Sequence, residues 1–252
     1  HTALRRQRQM CIRDSPLTIV YYLAFLTTLL VFHAIQWVCY YAFGYQAHKW
    51  SVDMLNATLI GCLGLIGTSI RFSNPHKLQN DKPHIIVCNH QSLYDIPPLI
   101  WYLRKIHPKF ISKKELGSGI PSVSFNLRHG GSLLIDRKKP NDAIVAIEDY
   151  ATVVNDTNRS TVIFPEGTRA RTGAPKRFHL GGLITLIENM PNSWVLPVTI
   201  NHSWKLMKWG NFPMVPGVCV RFTVHEPIPT QSEKASDLAT RVEQIIVGNM
   251  ED

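Results

Sequence analysis

The feature that most limits how this chain can fold is a run without Asp, Glu, Lys or Arg from Leu17 to Ala47, most of it aliphatic or aromatic. A helix needs about 20 such residues to cross the hydrocarbon core of a bilayer, and this run exceeds that. A second charge-free run, Met54 to Ile70, follows the short link His48-Lys49-Trp50-Ser51-Val52-Asp53. As a helix it would reach about 26 Å, slightly less than the core thickness. Gly61, Gly64 and Gly67 recur three apart, a stripe of small residues that would admit a close neighbouring helix. Residues 17–70 are therefore expected to form a membrane-embedded helical hairpin, spanning twice or lying in one leaflet. The competing soluble reading is two buried core helices.

Residues 1–16 are set apart from that hairpin. The chain starts at His1, and Arg5 to Ser15 reads like a translated sequencing adapter, so no function is assigned to it. If native, its arginines would form the basic flank expected on the cytoplasmic side of a membrane segment. Without its four Arg and one Asp, the formal charge of +9 falls to about +6. A basic chain beside a membrane segment points to anionic lipid or phosphorylated substrates as partners. No nucleic-acid motif is present, and no nucleic-acid partner is expected. Five scattered cysteines, Cys11, Cys39, Cys62, Cys88 and Cys219, suggest neither a disulfide framework nor a zinc site.

Residues 71–252 read as an α/β domain, a mostly parallel sheet flanked by helices. Apolar runs at His84–Cys88, Lys109–Ser112, Ser132–Ile135, Thr161–Phe164 and Trp194–Ile200 alternate with helical spacing at Asn141–Val154 and Arg177–Met190. A late strand over Val218–His225 and a helix around Ser232–Asn249 close the domain. Ligands gather where the strands of such sheets end.

The polar motifs fall at those ends. Asn89-His90-Gln91-Ser92-Leu93-Tyr94-Asp95 follows the first strand. His90 and Asp95 would not share a face of one continuous helix. They can meet if His90 lies in the turn and Asp95 opens the next helix, whose first turn suits Pro97-Pro98. Asp95 would then hold one imidazole nitrogen and leave the other as a general base. Alternatively, His90 is a loop residue and Asp95 a helix cap. Gly131-Ser132-Leu133-Leu134-Ile135-Asp136-Arg137 delivers an acid and a guanidinium, followed by Lys138-Lys139; Arg137 could fork onto a phosphate or be a solvated turn residue. In Phe164-Pro165-Glu166-Gly167-Thr168-Arg169, Gly167 allows close approach to an anion, Arg169 brings a fork, and Glu166 can hold a hydroxyl or the arginine. Val195-Leu196-Pro197-Val198 reads as core or edge strand.

Together, N-H-x-x-x-x-D, G-x-x-x-I-D-R, F-P-E-G-T-R and V-L-P-V, in this order over roughly residues 70–230, resemble the glycerolipid acyltransferase family that includes 1-acylglycerol-3-phosphate acyltransferases. The resemblance implies an O-acyltransferase with an N-terminal membrane-binding helix pair. It would move a fatty acyl group from a coenzyme A or acyl carrier protein thioester to the hydroxyl of lysophosphatidic acid or a related lysophospholipid. The thioester is a co-substrate, and neither a cofactor nor a metal is implied. By position, His90 would be the base, Asp95 its orienting partner, and Arg137, Glu166, Gly167, Thr168 and Arg169 the acceptor-binding residues. Lys113 and Lys114 match a family segment near the substrate. Pro121-Ser122-Val123-Ser124 lacks the glycine of the family's Pro-x-x-Gly, and Phe178-His179-Leu180-Gly181 departs from Phe-Lys-x-Gly. The expected location is a membrane with the active domain on its cytoplasmic face, a bacterial inner membrane before an organelle.

Three rivals stand beside this reading. A Ser-His-Asp lipid hydrolase or thioesterase could use Ser92, although no G-x-S-x-G elbow occurs. A metal site on His84, Cys88, His90 and Asp95 would need defined geometry. A non-catalytic lipid-binding homologue would have no need of both His90 and Asp95.

Overall fold

The computed structural model describes residues 2–251, with side chains from residue 15 onward, so the adapter-like stretch lies outside the described side chains up to residue 14. The first element, α1 (Thr2–Gly64), is helical throughout except at Gly44 (φ 80°, ψ −169°). That backbone conformation is open to glycine and strained for other residues. The helix therefore bends at Gly44, and the expected link at 48–53 is itself helical. The segments on either side of the bend pack together: Thr28 Oγ1 lies 3.6 Å from Cys62 Sγ, and Leu29 is buried against Leu55 and Leu59. Ser15–Gly64 is long and apolar enough to cross a membrane. Among the described residues the glycine stripe meets no helix. A side chain at Gly61 or Gly64 would touch nothing, and Gly67 (φ +69°) turns the chain beside the backbone of Gly217.

The second apolar run ends early, because Ser69–Ser73 is the first strand, β1. The boundary expected at residue 70 thus falls inside a strand that the charge-free run concealed. Next come β2 (His84–Cys88), α2 (Ile96–Tyr102), β3 (Pro108–Lys113), α3 (Val123–His129), β4 (Leu133–Ile135), α4 (Pro140–Asp156) and β5 (Ser160–Ile163). The chain closes with α5 (Gly181–Asn189), β6 (Trp194–Asn201), β7 (Cys219–Val224), β8 (Ile228–Pro229) and α6 (Ala235–Gly248). Helix α5 begins four residues later than its spacing predicts, because the chain from Ala174 to Leu180 is irregular.

Among the described residues the sheet has eight strands in the order β1-β7-β6-β2-β5-β3-β4, with β8 also pairing β6. All pairs are parallel except β6 with β7 and β6 with β8. Strand β2 is central and wholly buried, which explains its uninterrupted apolar run. Its alternate residues serve two cores. Ile86 and Cys88 pack with α1 and α2 through Tyr21, Leu63, Leu99 and Leu103. Ile85 and Val87 pack with α4, α5 and α6 through Ile147, Leu183 and Leu238.

Strand β6 is central as well, and its proline has a place there. The Pro197 carbonyl accepts from the His225 amide, so its nitrogen faces the same side, where β6 passes from its β8 partners at Trp194–Val195 to its β7 partners at Val198–Asn201. The missing N–H thus falls just beyond the last β7 register pair, Val198–Val224, rather than within that ladder. Asn89 ties β2 to β6: its Nδ2 donates to the Ile200 carbonyl at 2.8 Å and its Oδ1 accepts from the Ile200 amide at 2.7 Å. Asn89→Ala orphans two buried backbone groups and is expected to lower stability by about 2–3 kcal/mol. A thermal scan in detergent that leaves the melting temperature unchanged would contradict this role.

Candidate active site

The site forms where β2, β5 and β6 end side by side. After β2 the chain turns through Ser92, which caps the 3-10 turn Leu93–Asp95 by accepting from the Tyr94 amide at 3.1 Å. Asp95 completes a reciprocal capping box at its third position. Its side chain does not cap α2, so the expected helix cap is replaced by a cap on the preceding turn. This turn brings His90 and Asp95 together, with His90 Nδ1 2.8 Å from Asp95 Oδ2.

Asp95 is fully buried. Its Oδ2 also accepts from the amides of Gln91 at 2.7 Å and Ser92 at 2.9 Å. Its Oδ1 accepts from Ser203 Oγ and from Ser92 Oγ. The carboxylate therefore fixes His90 with its Nδ1–H inward, and Nε2 has no hydrogen-bond partner among the described residues. The imidazole stacks on Phe164 with centroids 4.2 Å apart and planes 24° off parallel, which sets its remaining rotation.

The Phe164–Arg169 loop folds back over the same turn. The Ala170 amide donates to the His90 carbonyl at 2.7 Å. Gly167 turns at φ +67°, and its carbonyl accepts from Arg137 Nη1. Thr168 Oγ1 accepts from Lys176 Nζ at 2.9 Å, and the same ammonium reaches the Arg169 carbonyl at 3.0 Å. At the neighbouring strand ends, Lys113 pairs with Glu115 at 3.0 Å while both remain exposed, and Lys114 is exposed beside them. Strand register sets Lys113 opposite Ile135, two residues before Arg137. Arg137 and Gly167 are thus in contact, Lys113 and Lys114 form the rim on that side, and the Arg169 guanidinium makes no hydrogen bond to Glu166.

Glu166 is 3% exposed, and neither carboxylate oxygen has a hydrogen-bond partner. Burial pushes its carboxyl up to about 7, against the pull of the nearby His90 backbone and Lys176, with Asp95 adding to the rise. Of the two roles open to Glu166 in the sequence, the hold on Arg169 is not made, and the acid sits without a hydrogen-bond partner behind the His90 turn.

Two contributors had no role in the sequence reading, Ser203 and Phe164. Ser203 had a signal: Asn201-His202-Ser203 stands at the end of β6 much as Asn89-His90-Gln91-Ser92 follows β2, and β2 and β6 are adjacent and parallel. Its amide donates to Gln91 Oε1 at 3.0 Å. Ser92 is 2% exposed and hydrogen-bonded to Tyr94, Ser203 and Asp95. It therefore lies on the Asp95 side of the imidazole, away from the free Nε2 where a hydrolase nucleophile would stand.

The family model for acyltransferases matches residues 69–201. The 1-acyl-sn-glycerol-3-phosphate acyltransferase of Helicobacter pylori is 45% identical over 92 residues, 35% of this chain and 36% of that protein. The sheep 1-acyl-sn-glycerol-3-phosphate acyltransferase alpha is 24% identical across 77% of this chain and 66% of its own length. The chain thus spans less than two thirds of the length of these relatives. The crystal structure of the 1-acyl-sn-glycerophosphate acyltransferase from Thermotoga maritima shares the fold, with a TM-score of 0.78 and 21% identity over 95% of both chains.

Because the folded form holds the Glu166 proton up to about 7 against 4.5 for the free side chain, ionising it costs stability as pH rises through that window. Glu166→Gln removes the cost and is expected to stabilise the protein by about 1–3 kcal/mol at pH 8, with little change at pH 4. Melting curves of both proteins at the two pH values test this, and equal shifts at both would refute it.

Proposed function

Because the chain belongs to the acyltransferase family, we propose that it transfers a fatty acyl group from an acyl thioester to the free hydroxyl of lysophosphatidic acid or a related lysophospholipid. The observation that carries this reading is the His90 imidazole, oriented through Nδ1 by a wholly buried Asp95 and left with an unpartnered Nε2.

A glycerol hydroxyl is a weak nucleophile at neutral pH. Nε2 takes its proton as the oxygen attacks the thioester carbonyl, and Asp95 stabilises the resulting imidazolium. The tetrahedral intermediate then collapses by breaking the C–S bond, and the imidazolium returns the proton to the departing thiolate. The products are an ester and a free thiol. The donor is already activated, so no acyl-enzyme is required. The acceptor phosphate is met by Arg137, Lys113, Lys114 and Arg169, with the turn at Gly167 allowing close backbone approach. The donor is a coenzyme A or acyl carrier protein thioester.

The reading extends to the membrane. Leu17, Val20, Leu23, Leu30, Trp37, Tyr41 and Phe43 of α1 are exposed. The other side of the helix touches the domain from Thr18, bonded to the Met214 amide, to Tyr45, bonded to His107. That contact runs for about 40 Å, longer than a bilayer core of about 30 Å. A spanning helix would draw the charged domain into hydrocarbon, so α1 lies in one leaflet with its apolar side in lipid.

His90→Ala, assayed in detergent with a coenzyme A thioester and lysophosphatidic acid, is expected to lose roughly 10²–10⁴-fold in turnover with little change in melting temperature. Retained turnover would sink the mechanism. Ser92→Ala loses a turn cap, at about 1 kcal/mol, but no nucleophile, so transfer is expected to persist. Fatty acid release without acceptor, abolished in Ser92→Ala, would instead establish the hydrolase.

A further inference from the structure

A second concentration of charge lies at the opposite end of β3 from the site. Lys109, at the start of that strand, is 6% exposed, yet among the described residues its ammonium has no hydrogen-bond acceptor; it lies 5.4 Å from the centroid of the Tyr45 ring and feels the Asp53 carboxylate only at longer range. Arg159 covers the same ring at 4.4 Å. The Tyr45 hydroxyl is held by His107 at 2.8 Å and by the Gly130 carbonyl at 3.2 Å. Lys49 and Arg104 stand close by, since Lys49 Nζ donates to the Arg104 carbonyl at 3.1 Å. The one carboxylate in the group, Asp53, is 2.5 Å from Lys49. Lys49, Arg104, Lys109 and Arg159 thus share a single acid, and Lys109 is the deepest of the four.

A buried, unpaired ammonium is unfavourable unless an anion meets it or its proton leaves. The second response shows here: burial, with Arg159 and Lys49, pulls Lys109 down to about 7 against the opposing pull of Asp53, and burial with Lys109, Lys49 and Arg159 pulls His107 down to about 3. Between them is a narrow cavity lined by Lys49, Asp53, His107, Lys109, Asn126 and Ser132, with about 10 Å³ open. That is room for one oxygen atom. The surroundings are aromatic: Tyr41, Phe43 and Trp50 are exposed around the Gly44 bend, and Trp101 stacks on Arg104 at 4.1 Å. Such rings gather at the headgroup level of a bilayer.

We propose that this cluster binds a phosphate group, one oxygen entering the cavity toward Lys109 and His107 while Lys49, Arg104 and Arg159 face the rest, as a site separate from the catalytic one. Lipid headgroups and free phosphate share this chemistry. With a lipid phosphate, the site would hold the bend of α1 to an anionic leaflet; that role rests on the membrane placement proposed above, whereas phosphate binding itself does not.

The test uses the full chain in detergent carrying Arg137→Gln, which removes the main phosphate contact of the catalytic site. Inorganic phosphate, compared with chloride at equal ionic strength, is expected to raise the melting temperature in a saturable way. Adding Lys109→Met or Arg159→Gln should weaken that response at least tenfold. Arg159→Gln keeps the comparison open if Lys109→Met folds poorly. Vesicles of phosphatidylcholine with and without phosphatidic acid then separate the sources. Stronger sedimentation with phosphatidic acid, lost in both variants, identifies a lipid headgroup; a phosphate response without it identifies free phosphate. An undiminished phosphate response in both variants, or no response in the parent, overturns the site. Loss of all vesicle binding with the phosphate response intact refutes the membrane placement and leaves the site standing.

Discussion

The burial of Asp95 organises the candidate site. A carboxylate withdrawn from water needs donors for its lone pairs, and without them its desolvation would cost several kcal/mol. Here two backbone amides, two hydroxyls and one imidazole supply them. These donors come from two segments far apart in the chain, the turn after β2 and the residue that follows β6. Satisfying one side chain thus joins two strand ends, and Asn89 and Gln91 reinforce the joint by binding Ile200 and Ser203. His90 inherits its position from that joint. Its ring cannot turn without leaving an acceptor of Asp95 short of a donor and losing its stack on Phe164.

Glu166 is the counterpart. It lies just past β5, as buried as its neighbours, but among the described residues neither oxygen has a hydrogen-bond partner, and the nearby His90 backbone lowers its carboxyl only in part. Two carboxyl groups a strand apart therefore meet opposite conditions, one with its donors in place and one left to hold its proton to about 7. A carboxylic acid kept protonated near neutral pH can donate a hydrogen bond as well as accept one. The turn at Gly167 keeps Glu166 in this environment, because the loop is clamped by Ala170 on His90 and by Arg137 on the Gly167 carbonyl. Neither clamp involves the glutamate side chain.

The parts legible in the sequence were those in which a local pattern determines the outcome. The β2 run matches its strand residue for residue because a strand buried on both faces has no alternation to misread. The spacing of His90 and Asp95 allowed their meeting, since a turn that starts at Ser92 and ends at Asp95 closes the gap. What was not legible depended on distant chain. Ser203 is 108 residues from the carboxylate it serves, and no local rule links them. Glu166 had two readings, a hold on a hydroxyl or on Arg169, and no local pattern showed that its carboxyl would be buried without a hydrogen-bond partner. Strand β1 was hidden because hydropathy does not separate the end of an apolar helix from a short strand paired with β7.

Helix α1 shows the limit of composition most directly. Its residues are apolar nearly all round, which by composition describes a segment surrounded by lipid. In the fold, Tyr21, Val52, Cys62 and Leu63 belong to the same buried cluster as Ile86 of β2 and Leu99 of α2, while Leu23, Trp37 and Phe43 on the other side remain open. The helix is two-faced, although both faces are apolar, so no charge pattern could reveal the division. The helix is therefore part of the core that supports the His90–Asp95 turn: Tyr21 and Phe25 pack edge-on against Tyr94, the residue beside Asp95. Removing α1 would uncover Tyr94, Leu99 and Met214, so the α/β domain depends on α1 for its own packing.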